Sequence, residues 1–200
     1  MLRETFDAHA RRIFGTQLRH PIFYVCRYAL RFELDPQGRV DLPVALARAM
    51  EIYQRLPGRP TLLRIDALVW PEKAHRLRHQ LDVLFRQCRI AGPRQATLEW
   101  VPVSDCEMWT YHSLYVRLDD RFRPEPLLRE IVSEDFSPEL SPCEVFLLDE
   151  AHDVLYHPYD DRGADVAAAD RETLRPLYQE LNPWLLDYDR ARMDAMFNET

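Results

Sequence analysis

Glycine is scarce: five in 200 residues, at positions 15, 38, 58, 92 and 163. Glycines so far apart build neither a phosphate-cradling P-loop nor a Rossmann fingerprint, so no nucleotide cofactor is expected. Serine is equally scarce, and none stands in the Gly-x-Ser-x-Gly elbow of a hydrolase. The four cysteines (Cys26, Cys88, Cys106, Cys143) form no Cys-x-x-Cys clip. Cys26 and Cys88 lie in apolar stretches and read as core. His75 and His79 are spaced i, i+4, but on the side of their helix opposite Leu77, which points to a solvated face rather than a metal pair. The remaining histidines are scattered singly, so no metal is expected either. No run of 18 apolar residues is present, so no membrane-spanning helix is expected. The first seven residues lack an apolar signal core, and a cytoplasmic protein with reduced thiols is the expectation.

What is present is ordinary globular composition, 46% hydrophobic and 30% charged. That predicts a single domain over residues 1–200, the alternative being a subdomain break near residue 92, where composition shifts. Charge is divided unevenly. Residues 1–100 carry 17 basic and 10 acidic side chains, a net +7; residues 101–200 carry 9 and 23, a net −14. The acidic total of −7 argues against nucleic acid as a partner. Two readings remain for the asymmetry: the halves pair their charges on folding, or the acidic half faces a basic partner.

Periodicity supplies the elements. A short helix is predicted over 6–14. Residues 22–34 alternate as a strand with Ile22, Tyr24, Cys26, Tyr28, Leu30, Phe32 and Leu34 on one face. A turn follows at residues 35–38. Asp41 is a candidate N-cap for a helix whose apolar positions Leu42, Ala45, Leu46, Ala49, Ile52, Tyr53 and Leu56 recur at i, i+3, i+4, i+7. A strand over 61–69, a helix opened by Pro71 and stopped by Gly92-Pro93, and two antiparallel strands (95–103 and 109–118) linked through residues 104–106 come next. A helix holding Leu127, Leu128, Ile131 and Val132 precedes a hairpin of strands 144–149 and 154–159. Residues 161–163 turn into a strand over 164–168, with Gly163 expected at positive φ. Pro176 favours a helix starting at Leu174 with Thr173 as N-cap, since an interior proline costs about 3 kcal/mol. Asp189 is expected to cap a last helix with Met193, Met196 and Phe197 inward. The fold class is α+β: a mixed, mostly antiparallel sheet flanked by helices.

Arg27, Arg31, Arg64, Asp66, Glu99 and Arg117 fall inside these strands, either as cross-strand ion pairs or as a polar binding face. Two further clusters stand out. Tyr159, Asp160, Asp161, Arg162 and Asp165 form the densest polar group beside a strand. Trp184, Asp187, Tyr188, Asp189 and Arg190 combine residue types enriched at binding hot spots, which are equally types that fasten a segment onto a sheet. An Arg162 pair with Asp187 or Asp189 would join the two clusters.

Tyr159-Asp160-Asp161-Arg162-Gly163 with Asp165-Val166, then Leu174-Arg175-Pro176-Leu177-Tyr178, Asn182, Trp184 and Leu186-Asp187-Tyr188-Asp189-Arg190, resemble the C-terminal signature of the bacterial family called domain of unknown function 3885. Leu30-Arg31-Phe32-Glu33-Leu34 and Asp135-Phe136 fit the same pattern, so the likeness spans residues 22–197; Pro158 and Pro183 depart from it. The resemblance implies a bacterial cytosolic domain and brings no catalytic residues. With no activated nucleophile, phosphate loop or metal set legible, the function expected is protein binding, most concretely an immunity protein that occludes a basic toxin domain. Asp153 and Asp160 are the first acidic residues expected at its surface. The alternative is a small hydrolase or transferase using the Asp160–Asp165 region.

Overall fold

The computed structural model describes residues 1–15, 18, 21–36, 41–69, 74–90, 99–106, 109–133 and 143–198. The elements run α1 (Leu2–Phe14), α2 (Ile22–Val25), β1 (Ala29–Glu33), α3 (Leu42–Gln54), β2 (Leu62–Val69), α4 (Ala74–Gln87), β3 (Glu99–Cys106), β4 (Trp109–Arg117), α5 (Pro124–Val132), β5 (Cys143–Asp149), β6 (Val154–Pro158), β7 (Gly163–Ala168), α6 (Arg171–Glu180) and α7 (Arg190–Asn198). Two 3-10 turns, Asn182–Trp184 and Asp187–Asp189, link the last two helices. The seven strands form one sheet in the order β1-β7-β6-β5-β2-β4-β3, antiparallel at every pairing. The fold is α+β. The expected helix start at Pro71, its stop at Gly92-Pro93, the strand start at residue 95 and the end of the turn at 37–38 lie outside the described residues.

Local chemistry accounts for most boundaries. Asp41 caps α3 by accepting the Val44 N–H at 3.2 Å, and Pro43 sits in the first turn. Gly15 ends α1 at φ 69, the left-handed geometry in which glycine has no Cβ penalty.

Several expectations fail in the structure. Residues 22–34 are not one strand: Pro21 precedes the single turn of α2, and only Ala29–Glu33 is extended. Phe23 and Val25 are apolar as well, so this run lacks a polar face to hold it in a strand. Residues 104–106 are not a link but the end of β3. The helix placed at Leu174 begins at Arg171, with Asp170 rather than Thr173 as N-cap; its carboxylate accepts the Glu172 N–H at 3.3 Å. Pro176 is therefore interior and forfeits one backbone hydrogen bond, offset by the cap and by complete burial of Leu174 and Leu177. Gly163 does not have positive φ.

The two faces of the sheet differ. Leu30, Phe32, Ala164, Val166, Tyr156, Leu147, Leu63, Ile65, Leu114 and Val116 are buried on one face, against α3, α5 and α6. The Tyr156 hydroxyl, wholly buried there, donates to the Ala49 carbonyl of α3 at 3.0 Å. The other face carries a row of polar and aromatic residues, described below, under α1 and α2. The outer edge of β1 is closed by the C-terminal segment. Leu185 bridges Phe32, the Leu186 N–H donates to Arg31 O at 2.9 Å, and the Arg31 N–H meets Met193 Sδ at 3.3 Å. A capped edge offers no template for pairing with another chain.

Candidate functional site

Successive strands place Arg31 opposite Asp165, Asp165 opposite His157, Phe146 opposite Arg64, and Arg64 opposite Tyr115. His157 stacks on Phe146 at 4.6 Å between centroids, which joins these pairs into one line across the sheet. At the β1 end, Arg31 grips Asp165 through Nε and Nη2 at 2.8 and 2.9 Å, and its Nη1 lies 3.6 Å from Asp189. Asp165 also accepts the Phe23 N–H at 3.2 Å, and Asp189 accepts the Tyr24 hydroxyl at 3.1 Å. The guanidinium lies 4.8, 4.9 and 5.9 Å from the ring centres of Phe23, Tyr24 and Tyr159. Burial works against its charge, but the hydrogen bonds and charge of Asp165 outweigh that and hold its pKa above the usual arginine value. Burial, with Asp165 adding to it, likewise pushes the Tyr159 hydroxyl far up. Arg192 reaches the Tyr24 and Cys26 carbonyls from α7 and covers the Phe23 ring. One arginine of an N-terminal strand thus holds an aspartate from each sequence-selected cluster.

Arg162 does not make the link expected of it. Its side chain is 75% exposed and pairs with Asp160, two residues away. Arg162 lies in the turn before β7 and faces solvent, and the Asp187–Asp189 turn sits instead beside β1. Asp160 is not at the surface but buried, where its Oδ1 accepts the Arg162 and Gly163 N–H groups at 2.8 and 3.2 Å. Asp153 is not freely exposed either. It pairs with Arg12 and His9 of α1, and although burial opposes it, both partners hold its pKa below the ordinary carboxylate value. Arg162→Ala should cost about 1 kcal/mol, since the guanidinium is 75% exposed and the buried Asp160 carboxylate keeps its two backbone donors. Asp160→Ala should cost about 1–3 kcal/mol, since two backbone donors lose their acceptor. Urea denaturation midpoints of the two variants check this order.

The other selected residues divide between anchors and surface. Asp161 is buried. Arg190 donates to Asn182 Oδ1 and O at 3.0 and 2.8 Å and fastens the 3-10 turns. Trp184 is half-buried beneath Arg48, 5.0 Å away. Asp187 is fully exposed and lies 3.7 Å from Arg190, and Tyr188 is 87% exposed. Asp189 precedes α7, but its carboxylate is committed to Tyr24 and Arg31. Met193 is buried in the core, while Met196 and Phe197 are partly buried against it.

Of the strand residues, Arg64 pairs bidentately with Asp66 at 2.8 and 2.7 Å beneath Phe6. Arg117 pairs with Glu150, and Arg27 lies outside the strands over Tyr28. Opposite Asp66, the buried Ser113 hydroxyl has no hydrogen-bond partner among the described residues. Its neighbour Asp66 is already held by Arg64. Charge pairing between the chain halves recurs at Arg12–Asp153, Arg31–Asp165, Arg31–Asp189 and Arg55–Glu180. Burial pushes the Cys26 thiol up to about 11 and the Cys88 thiol up to about 12, so both stay protonated at neutral pH. His79 is exposed; the side chain of His75 lies outside the described residues. Among the described residues no cluster of three His, Cys, Asp or Glu is placed to hold a metal ion, and no helix is long and apolar enough to cross a membrane.

The model of the family described as Domain of unknown function (DUF3885) matches residues 6–189. The chain belongs to this family. The matched range takes in the whole Arg31–Asp165–Asp189 network and, on α1, Phe6 above Arg64, further toward the N-terminus than the signature reached. One relative is the uncharacterized protein YnaE of Bacillus subtilis (strain 168), 32% identical over 73 residues, a stretch that covers 33% of this chain and 34% of that protein. No solved structure matches. Within this DUF3885 chain, sequence reasoning missed Phe23, Tyr24, His157 and Arg192. The available signals were Arg31 inside an apolar strand and Tyr24 seven residues before it, both needing partners if buried.

Proposed function

We propose that this chain is a protein-binding domain of the bacterial cytoplasm, most concretely an immunity protein that neutralises a basic toxin domain by covering it. The observation that carries the reading is Tyr188. It stands 87% exposed on the Asp187–Asp189 turn while the residues after it, Asp189 and Arg190, are anchored. Tyr24, 44% exposed, borders the same turn, since its hydroxyl donates to Asp189 at 3.1 Å. A tyrosine presented on a rigid base loses little side-chain freedom on contact and contributes strongly to binding. Asp187, fully exposed beside it, and the net charge of −7 suit a basic partner and speed encounter with it. The carboxylates of Asp160 and Asp165 are engaged by arginines and backbone N–H groups, which favours binding over acid–base chemistry there.

The test is protection. The reading requires the product of the adjacent gene to be toxic when expressed alone, and cells expressing it should grow when this protein is co-expressed. Tyr188→Ala should abolish protection and weaken the purified complex by at least about tenfold, a hot-spot loss, with an unchanged melting temperature. Raised salt should slow association. No complex with that product, or full protection by Tyr188→Ala, would refute the reading.

A further inference from the structure

On the side of the molecule where the α3–β2 loop meets the ends of α4 and α5, a groove of about 760 Å³ opens to solvent. Its volume is that of a site for a small organic ligand. Arg59, Arg89, Arg121 and Arg123 line it, against Asp119 and Asp120. Arg121 is taken by Asp119 at 2.6 Å. Among the described residues no carboxylate pairs with Arg59, Arg89 or Arg123. Each comes from a different segment. Arg59 follows α3. Arg89 follows α4 with φ 57, a left-handed backbone uncommon for a residue with a side chain. Arg123 immediately precedes α5, and its N–H donates to Cys88 O at 2.8 Å, tying it to the end of α4. Tyr53 and Phe122, edge to face at 6.4 Å and partly buried, add an aromatic wall.

We propose that this groove binds a ligand carrying two linked phosphates. Three guanidinium forks from three segments match the oxygens of a diphosphate bidentately. The four arginines against Asp119 and Asp120 leave the groove a net +2, which offsets most of the roughly three negative charges of a diphosphate, and three separate forks offer more donors than one phosphate group can take up. The charge source can be inorganic pyrophosphate or the diphosphate of a nucleotide; in the second case the base rests on the Tyr53–Phe122 wall. No glycine-rich loop is needed, because side chains rather than backbone N–H groups hold the phosphates.

Calorimetric titration of the full chain with inorganic pyrophosphate and with ADP tests this. Both should bind saturably at one site. Arg59→Ala, Arg123→Ala and Arg89→Gly, the last chosen to keep the left-handed backbone, should each weaken binding at least about tenfold, while Arg86→Ala, an exposed arginine outside the groove, should not. Melting temperatures should match the parent chain, since all three groove arginines are exposed. Tighter binding of ADP than of pyrophosphate assigns the aromatic wall to a base; equal binding assigns the site to the phosphates alone. Failure of both ligands to saturate at millimolar concentration, or binding that survives the three arginine substitutions, would overturn the proposal.

Discussion

Arg31→Ala should destabilise the fold by about 3–5 kcal/mol, the usual result of removing one partner from a buried ion pair. The Arg31 side chain is 12% exposed and that of Asp165 2%, so water cannot replace the lost guanidinium at Asp165. The same change removes a cation from between Phe23, Tyr24 and Tyr159, and one of the two groups holding Asp189. Arg31→Lys should recover only part of the loss, because an ammonium cannot reproduce the two parallel bonds to Asp165. Urea denaturation followed by circular dichroism measures this. A midpoint unchanged in Arg31→Ala would mean that the C-terminal turn is held by Leu185, Leu186 and Arg190 alone.

Gly163→Ala should follow, at about 1–3 kcal/mol, as an overpacking defect. A Cβ at Gly163 would overlap the Tyr159 hydroxyl, lie 2.7 Å from Tyr159 Cζ and touch the Phe32 backbone oxygen at 3.0 Å. The demand for glycine here is space and not backbone freedom. Tyr159→Phe in the same chain should therefore restore some stability and not all of it, since Cζ and the Phe32 oxygen stay in place. The pair forms a double-mutant cycle, and strictly additive losses would refute the contact.

The elements legible in the sequence were those with a polar signal at one end and a consistent period, such as α3 with Asp41, and β5–β6 with the acidic turn between them. Residues 22–25 misled because apolar side chains stand on both faces, and a helical turn and a strand then look alike. The Arg171 start of α6 was obscured by Pro176, whose cost is outweighed by a cap six residues earlier and by buried leucines. In the candidate site, the residue types around 159–165 and 184–190 stood out, but their connection did not. Arg162 lies inside the first cluster, yet the arginine that joins the two is 134 residues from Asp165 in the chain. Only the sheet order, which sets β1 beside β7, brings them together.

That order also governs when the protein can fold during synthesis. β1 emerges early, but its inner neighbour β7 spans Gly163–Ala168 and its outer edge is closed by Leu185 and Leu186. Through most of translation the strand therefore has neither edge paired and Arg31 has neither aspartate. At roughly 5–20 residues per second, that leaves a waiting period on the order of ten seconds or more. Closure of such distant contacts is also intrinsically slow. The early strand bears a charged residue at its centre, Arg31, a feature that discourages pairing with the wrong chain in the interval.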